Sequence, residues 1–263
     1  MTEPRTPVHT TLDADGIATL TIRGAKGINI VGSAEIVAVS AELARLRDEP
    51  GLRALVLRGH GDRAFVGGAD IAEMATLTPA TAATFITGLK DLCEAVRLFP
   101  APVIARIAGW CLGGGLEVAM ACDLRLGSSD SKYGMPEVKV GIPSVIHAAL
   151  MPRLAGPSAA AWLLLTGDTI DAATALGHGL VHRVCPLAEL DDAVQQTARQ
   201  LAALGPQVLR QQKALLRDWA RLPVEEAIER SVAEFAQAFT TGEPQRYMRQ
   251  FLDRQRGGGP RPA

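Results

Sequence analysis

The chain lacks any apolar run approaching the roughly 18 residues that a membrane span requires, and its first residues, Met1 to Pro7, are polar with two prolines, unlike a secretory signal. Both absences point to a soluble, cytoplasmic protein. An excess of either charge is also missing. The formal net charge is −1, which leaves no concentrated basic face for nucleic acid, although local phosphate binding stays open. Cysteines are few: Cys93, Cys111, Cys122 and Cys185 are widely spaced, mostly among apolar residues, and read as reduced core thiols. Of the four, only Cys111 stands beside a glycine cluster. No G-x-S-x-G elbow, H-E-x-x-H pair or paired cysteines occur, which excludes the familiar serine-hydrolase and zinc arrangements, and no metal is expected.

What is present is a chain of 263 residues, 48% hydrophobic, able to bury a large core. A hairpin is expected from Val8 to Ile22, turned at Asp13-Ala14-Asp15-Gly16, then a helix from about Ala34 to Arg47. The strand Arg53 to Arg58 leads into a glycine-rich loop reaching Asp70. Thr78-Pro79 supplies the N-cap and first-turn chemistry of a long helix, ended by Pro100 and Pro102. The strand Val103 to Ala108, a second glycine turn, a short helix and the strand Asp123 to Ser128 continue the rhythm. Strands alternating with helices predict an α/β fold with parallel sheet. Beyond Pro143 the pattern is helical, with one short strand expected at Leu180 to Val184. Pro206, Pro223 and Pro244 divide the last third into helices of about Gln207 to Trp219, Val224 to Thr241 and Gln245 to Gln255. Ile228, Val232, Phe235 and Phe239 form a helical stripe suited to core or a subunit interface.

Chemistry concentrates in Gly113-Gly114-Gly115-Leu116-Glu117, which sets free N–H groups, a helix start and a carboxylate within five residues. A helix N-terminus carries unpaired donors and partial positive charge, which suits an oxyanion. Phe65-Val66-Gly67-Gly68-Ala69-Asp70-Ile71 repeats the device. If the strands ending near Arg58 and Ala108 are parallel neighbours, both loops emerge at one sheet edge, where ligands of open α/β sheets bind. The N–H groups of Ala69 and Gly114 would then converge on one oxygen, as an oxyanion hole does for a carbonyl gaining charge. Tyr133-Gly134-Met135-Pro136-Glu137 adds a second carboxylate. An eight-residue helix followed by a returning strand brings Glu137 back toward Glu117, making a general acid and base pair. A dinucleotide reading of Gly59-His60-Gly61-Asp62-Arg63-Ala64 fails, because a second glycine loop and Pro79 stand where the long helix and distal acid belong.

The segments Phe65–Met74 (FVGGADIAEM), Ala108–Asp123 (AGWCLGGGLEVAMACD) and Tyr133–Pro143 (YGMPEVKVGIP) resemble those of the enoyl-CoA hydratase/isomerase (crotonase) family, across nearly the whole chain. The resemblance implies a crotonase-like spiral of strand-strand-helix units in 1–195, a helical trimerisation region in 196–256 and a disordered tail in 257–263. It implies a homotrimer or a hexamer built from two trimers, and a place in fatty acid metabolism. Gly68, Ala69, Asp70, Ile71 and Gly114 would bind the acyl-CoA thioester, with the Ala69 and Gly114 amides on its carbonyl oxygen. Glu117 and Glu137 would be the catalytic glutamates, both holding the water, with Glu137 most directly moving the proton at C2. The implied reaction is hydration of a 2-enoyl-CoA to a 3-hydroxyacyl-CoA, with CoA part of the substrate and no cofactor. Isomerisation, hydration followed by thioester hydrolysis, and noncatalytic CoA binding are the alternatives.

Two segments depart from the family pattern. Where many relatives carry a PGAGG-like run, this chain has Pro143-Ser144-Val145-Ile146-His147-Ala148-Ala149, so a reshaped acyl pocket is expected, with Ser144 and His147 as pocket candidates. His147 is either a core residue bonded to backbone or a titratable pocket group. The loop Gly24 to Asn29 lacks the Asn-Ala-Leu ending of many relatives. Lys26 is a CoA-phosphate candidate there, and Phe251 and Arg254 resemble residues lining the adenine region, often in a neighbouring subunit.

Overall fold

The computed structural model describes residues 6–24 and 26–256 and divides into two units, Met1–Ala202 and Ala203–Ala263. The disordered tail expected at 257–263 lies outside the described residues.

The first unit opens with the predicted hairpin: β1 (Val8–Leu12) pairs antiparallel with β2 (Ile17–Ile22), and Asp13 Oδ1 accepts the amides of Asp15 and Ile17 across the turn. Then follow α1 (Ser33–Arg47), β3 (Ala54–Gly59), β4 (Ala64–Val66), α2 (Ile71–Met74), α3 (Pro79–Arg97), β5 (Val103–Ile107), β6 (Trp110–Leu112), α4 (Gly114–Ala121), β7 (Leu124–Ser128) and β8 (Lys132–Gly134). Two 3₁₀ turns, Pro136–Val140 and Ile146–Leu150, lead to α5 (Met151–Leu154), α6 (Pro157–Thr166), β9 (Thr169–Asp171), α7 (Ala172–Gly177), β10 (Arg183–Cys185) and α8 (Leu187–Ala202).

The main sheet has the order β1-β2-β3-β5-β7-β10 and is parallel beyond its first hairpin. Its central strands β3 and β5 are buried almost throughout because both faces are covered. In β3, Leu55 and Leu57 face one core with Leu89, Leu92 and Val96 of α3, while Ala54 and Val56 face another with Leu190, Ala193 and Val194 of α8. The length of α3 follows from its spacing: Phe85, Leu89, Leu92, Cys93 and Val96 form one buried stripe. Its N-cap is Thr78, whose hydroxyl accepts the Thr81 amide.

A second sheet, β4-β6-β8-β9, was not anticipated from the sequence. It corrects the route to the site. The glycine loops do not leave β3 and β5 directly; they leave β4 and β6, parallel neighbours in this smaller sheet. Each of its four strands spans three residues, too few for an alternation pattern to be read. The strand expected at Leu180 to Val184 forms instead at Arg183–Cys185, since Leu180 and Val181 turn inward and are buried. The helix start expected after Pro143 is a 3₁₀ turn, and α8 carries the first unit through Ala202 instead of ending it near 195.

The second unit holds α9 (Pro206–Trp219), α10 (Val224–Ala238) and α11 (Glu243–Arg256). The Glu243 carboxylate accepts the amides of Gln207 and Val208, capping α9 where its dipole is positive. Ile228, Val232 and Phe235 stand exposed on α10, which ends three residues before the predicted Thr241.

Candidate active site

The first loop is aimed by its neighbours. The Val31 amide donates to Gly68 O, and the Asp70 amide donates to Val31 O, so Val31 and Ala69 form a parallel bridge. In such a bridge the partner's own N–H and C=O point the other way, so the Ala69 amide is turned away from Val31. Gly68 reaches this geometry at φ +123°, a backbone region closed to other residues. Asn29, buried at φ +53°, supports the loop from below: its Nδ2 donates to Ala64 O at 2.8 Å and lies 3.3 Å from Phe65 O. Asp70 caps α2 by accepting the Ala72 amide and pairs with Lys26 at 3.8 Å.

The second loop begins at Gly113, whose amide donates to Gly134 O across to β8. Its φ of +52° favours glycine, and a Cβ there would also run into Glu137 Oε1. Gly114 is the first residue of α4, so its N–H has no carbonyl behind it within the helix. Among the described residues neither the Ala69 nor the Gly114 amide donates in a loop or turn hydrogen bond. Gly68, Ala69, Gly114 and Gly115 together wall a small apolar void, so the two loops are adjacent. Gly115 permits this, because a Cβ there would collide with Val66.

Every residue of α4 is buried, Glu117 included at 3% exposure. Glu117 Oε1 accepts the Ala148 amide at 2.9 Å. Burial raises its carboxyl to about 8; the Ala148 amide opposes the rise and the nearby Glu137 carboxylate adds to it. Glu137 sits in the 3₁₀ turn after β8, half-buried, and its Oε2 accepts the Ser144 hydroxyl at 2.9 Å. It lines a cleft of ≈ 340 Å³ with Gly68, Ala69, Ile71, Leu112 and Gly113, while Lys26 and Lys139 supply the positive charge. The region therefore combines apolar walls, two neighbouring amides without a loop or turn partner among the described residues, and two electrostatically coupled carboxylates.

The sequence candidates separate accordingly. Gly68, Ala69, Ile71, Glu137 and Lys26 border the cleft; Gly114 and Glu117 stand behind it on α4, and Asp70 serves as a helix cap. Ser144 is bound to Glu137. His147 is buried and its Nε2 lies 2.9 Å from Glu94 Oε1 on α3, so it bonds a side chain and not the backbone. Phe251 and Arg254 lie exposed on α11 in the second unit. Cys111 is a fully buried thiol whose pKa burial raises, in keeping with a core residue. Sequence reasoning missed the roles of Asn29, Glu94 and the Ala148 amide; Asn29 stood in the sequence only as the last residue of the atypical loop Gly24 to Asn29. Among the described residues no group of three or more His, Cys, Asp or Glu could hold a metal, and no helix is long and apolar enough to cross a membrane.

The family profile for enoyl-CoA hydratase/isomerase matches residues 13–257. A crotonyl-CoA hydratase of Syntrophomonas wolfei is 32% identical over 241 residues, 91% of this chain and 93% of that protein. An (E)-benzylidenesuccinyl-CoA hydratase of Thauera aromatica is 32% identical over 216 residues, 81% of this chain and 83% of the other. The crystal structure of an enoyl-CoA hydratase from Mycobacterium smegmatis superposes with a TM-score of 0.90 at 26% identity, covering 95% of this chain and 97% of that one. The chain belongs to the enoyl-CoA hydratase/isomerase family.

Proposed function

Proceeding from that membership, we propose that this site is an enoyl-CoA hydratase centre that adds water across the 2,3 double bond of a 2-enoyl-CoA thioester. The observation that carries the assignment is an apolar cleft lined by Ala69 and Glu137, with Gly114 beside Ala69 at an adjoining void and Glu117 coupled electrostatically to Glu137. The Ala69 and Gly114 amides hold the thioester oxygen. They draw electron density from C3 and stabilise the enolate that forms as water attacks, and losing one such donor typically costs about 100- to 1000-fold.

Glu117, with its carboxyl near 8, is protonated at neutral pH and holds the water by hydrogen bonding. The Glu137 carboxylate, nearer the open cleft, receives the proton as the water oxygen bonds C3. The alkene electron pair moves to C2, which then takes a proton from Glu137. Both hydrogens of the water are thereby accounted for, one on the new hydroxyl and one on C2. The product is a 3-hydroxyacyl-CoA, and both carboxyl groups return to their starting states.

Lys26, two-thirds exposed, is available to the CoA phosphates by exchanging its weak pairing with Asp70. We assign the exposed apolar stripe of α10 to self-association as a homotrimer or hexamer, which would place Phe251 and Arg254 of one subunit near another's adenine site.

Incubation with crotonyl-CoA, following alkene absorbance and free thiol together, tests the reading. Loss of absorbance without thiol release is expected. Thiol release would assign hydrolysis instead, and tight CoA binding without turnover would make the chain a binding protein.

A further inference from the structure

Residues 144–148 touch both carboxylates. At one end the Ser144 hydroxyl donates to Glu137 Oε2, and at the other the Ala148 amide donates to Glu117 Oε1, each at 2.9 Å. Between them the chain turns at Ile146, at φ +40°. A β-branched side chain in that region is a genuine outlier, which persists only where its surroundings over-determine it. The segment is therefore held in a shape it would not keep on its own.

His147 ties this segment to α3. It is 6% exposed, and its Nε2 meets Glu94 Oε1 at 2.9 Å. Glu94 is itself gripped by Arg97, whose Nε and Nη2 lie 2.8 and 2.7 Å from its two oxygens, a bidentate pair that fixes the carboxylate plane. Both belong to α3, a 19-residue helix whose buried stripe is part of the main core. Burial lowers the His147 pKa, Glu94 pulls it up, and Arg97 and Lys90 push it down again. A carboxylate can only accept, so the hydrogen of the Nε2 contact with Glu94 lies on the ring. Neither His147 nor Glu94 lines the cleft.

We propose that His147, anchored on Glu94, is a positioning residue that holds residues 144–148 as a yoke across the two catalytic carboxylates. This rests on the hydratase reading above. Freed of the anchor, Ile146 relaxes toward an ordinary negative φ, and the Ser144 hydroxyl and the Ala148 amide lose their aim together. A misplacement of this kind, near 1 Å and remote from the reacting atoms, costs turnover more than binding.

The test compares His147→Leu, His147→Gln, Glu94→Ala and the double variant His147→Leu/Glu94→Ala in crotonyl-CoA hydration, with thermal melts of each. The Leu and Ala variants are expected to lower kcat roughly 10- to 100-fold while KM stays within about twofold. The double variant should be no worse than the more impaired single one, since both break one anchor. Gln, which places an amide nitrogen near the lost Nε2, should recover kcat to within a few fold. An unchanged kcat in Glu94→Ala, a multiplicative loss in the double variant, or a Gln variant as slow as Leu at equal melting temperature would each overturn the proposal. Should His147→Leu fail to fold, Glu94→Ala carries the test, because Glu94 is partly exposed. Failure of the unaltered protein to hydrate any enoyl-CoA sinks the functional reading instead, whereas active parent and unaffected variants sink only this inference.

Discussion

Glu117 and Glu137 are electrostatic neighbours standing on opposite kinds of ground. Glu117 belongs to a helix whose every residue is buried; Glu137 belongs to a turn in which Val138, Lys139 and Val140 are exposed. The helix has fixed geometry and low polarity, so it suits a group that keeps its proton and holds a water. The turn is nearer solvent and suits the group that passes a proton to and fro. In the proposed mechanism one carboxylate is a fixture and the other a shuttle, a division that matches the burial of the first and the exposure around the second.

Substitution at the shuttle should separate them most sharply. Glu137→Gln is expected to lower kcat for crotonyl-CoA by about 10²- to 10⁴-fold with melting unchanged, and Glu117→Gln to fall at the low end of that range. The reverse ranking would exchange their roles.

Stability should divide them the other way. The Glu117 carboxyl rises from 4.5 to about 8 on folding. Between those values the unfolded chain binds fewer protons than the native one, so this group's stabilisation is complete below pH 4.5 and disappears as pH climbs through about 8. Glu117→Gln removes that dependence while its amide oxygen still accepts the Ala148 N–H. It should melt several degrees above the parent at about pH 8 and close to it at about pH 4.5, a difference of order a few kcal/mol at most. Scanning calorimetry of Glu117→Gln and Glu137→Gln at the two pH values checks this, with no comparable gain expected at 137.

Catalysis follows from the same proton. Once Glu117 ionises, a second negative charge stands beside a developing enolate, so kcat/KM should fall about tenfold per pH unit above roughly 8. That limb should vanish in Glu117→Gln, whose residual activity is the readout. The smallest expected effect is at Ser144→Ala, about two- to tenfold in kcat, the value of one hydrogen bond to the shuttle. A loss at Ser144 equal to that at Glu137 would mean that the turn has no independent shape.

How much of this was legible beforehand follows from the range of the interactions. The long α3 helix was readable because Thr78-Pro79 and the stripe Phe85, Leu89, Leu92 and Val96 are local signals. The nearness of Glu117 and Glu137 was readable because a helix and a strand between them have known lengths. The second sheet was not, since three-residue strands carry no period and exist only by pairing with one another. Glu94 was likewise invisible: it lies 53 residues from His147, on a helix whose sequence asks only for a charged residue facing outward. The left-handed turn at Ile146 contradicts every local preference of its residue type, and only the tertiary setting makes it tenable.

Two of the four groups assigned to the chemistry have no side chain to delete. The aim of the Ala69 amide is set by its bridge to Val31, and Gly114 presents its amide by being first in a helix. An alanine scan leaves position 69 as it is and at 114 retains the N–H while pressing a Cβ on the Leu89 side chain, so it would report packing there and not the loss of the donor. Proline at 114 removes that hydrogen at the first helical position, and comparing it with alanine at 114, which puts the same Cβ against Leu89 but keeps the N–H, makes the donor visible to genetics.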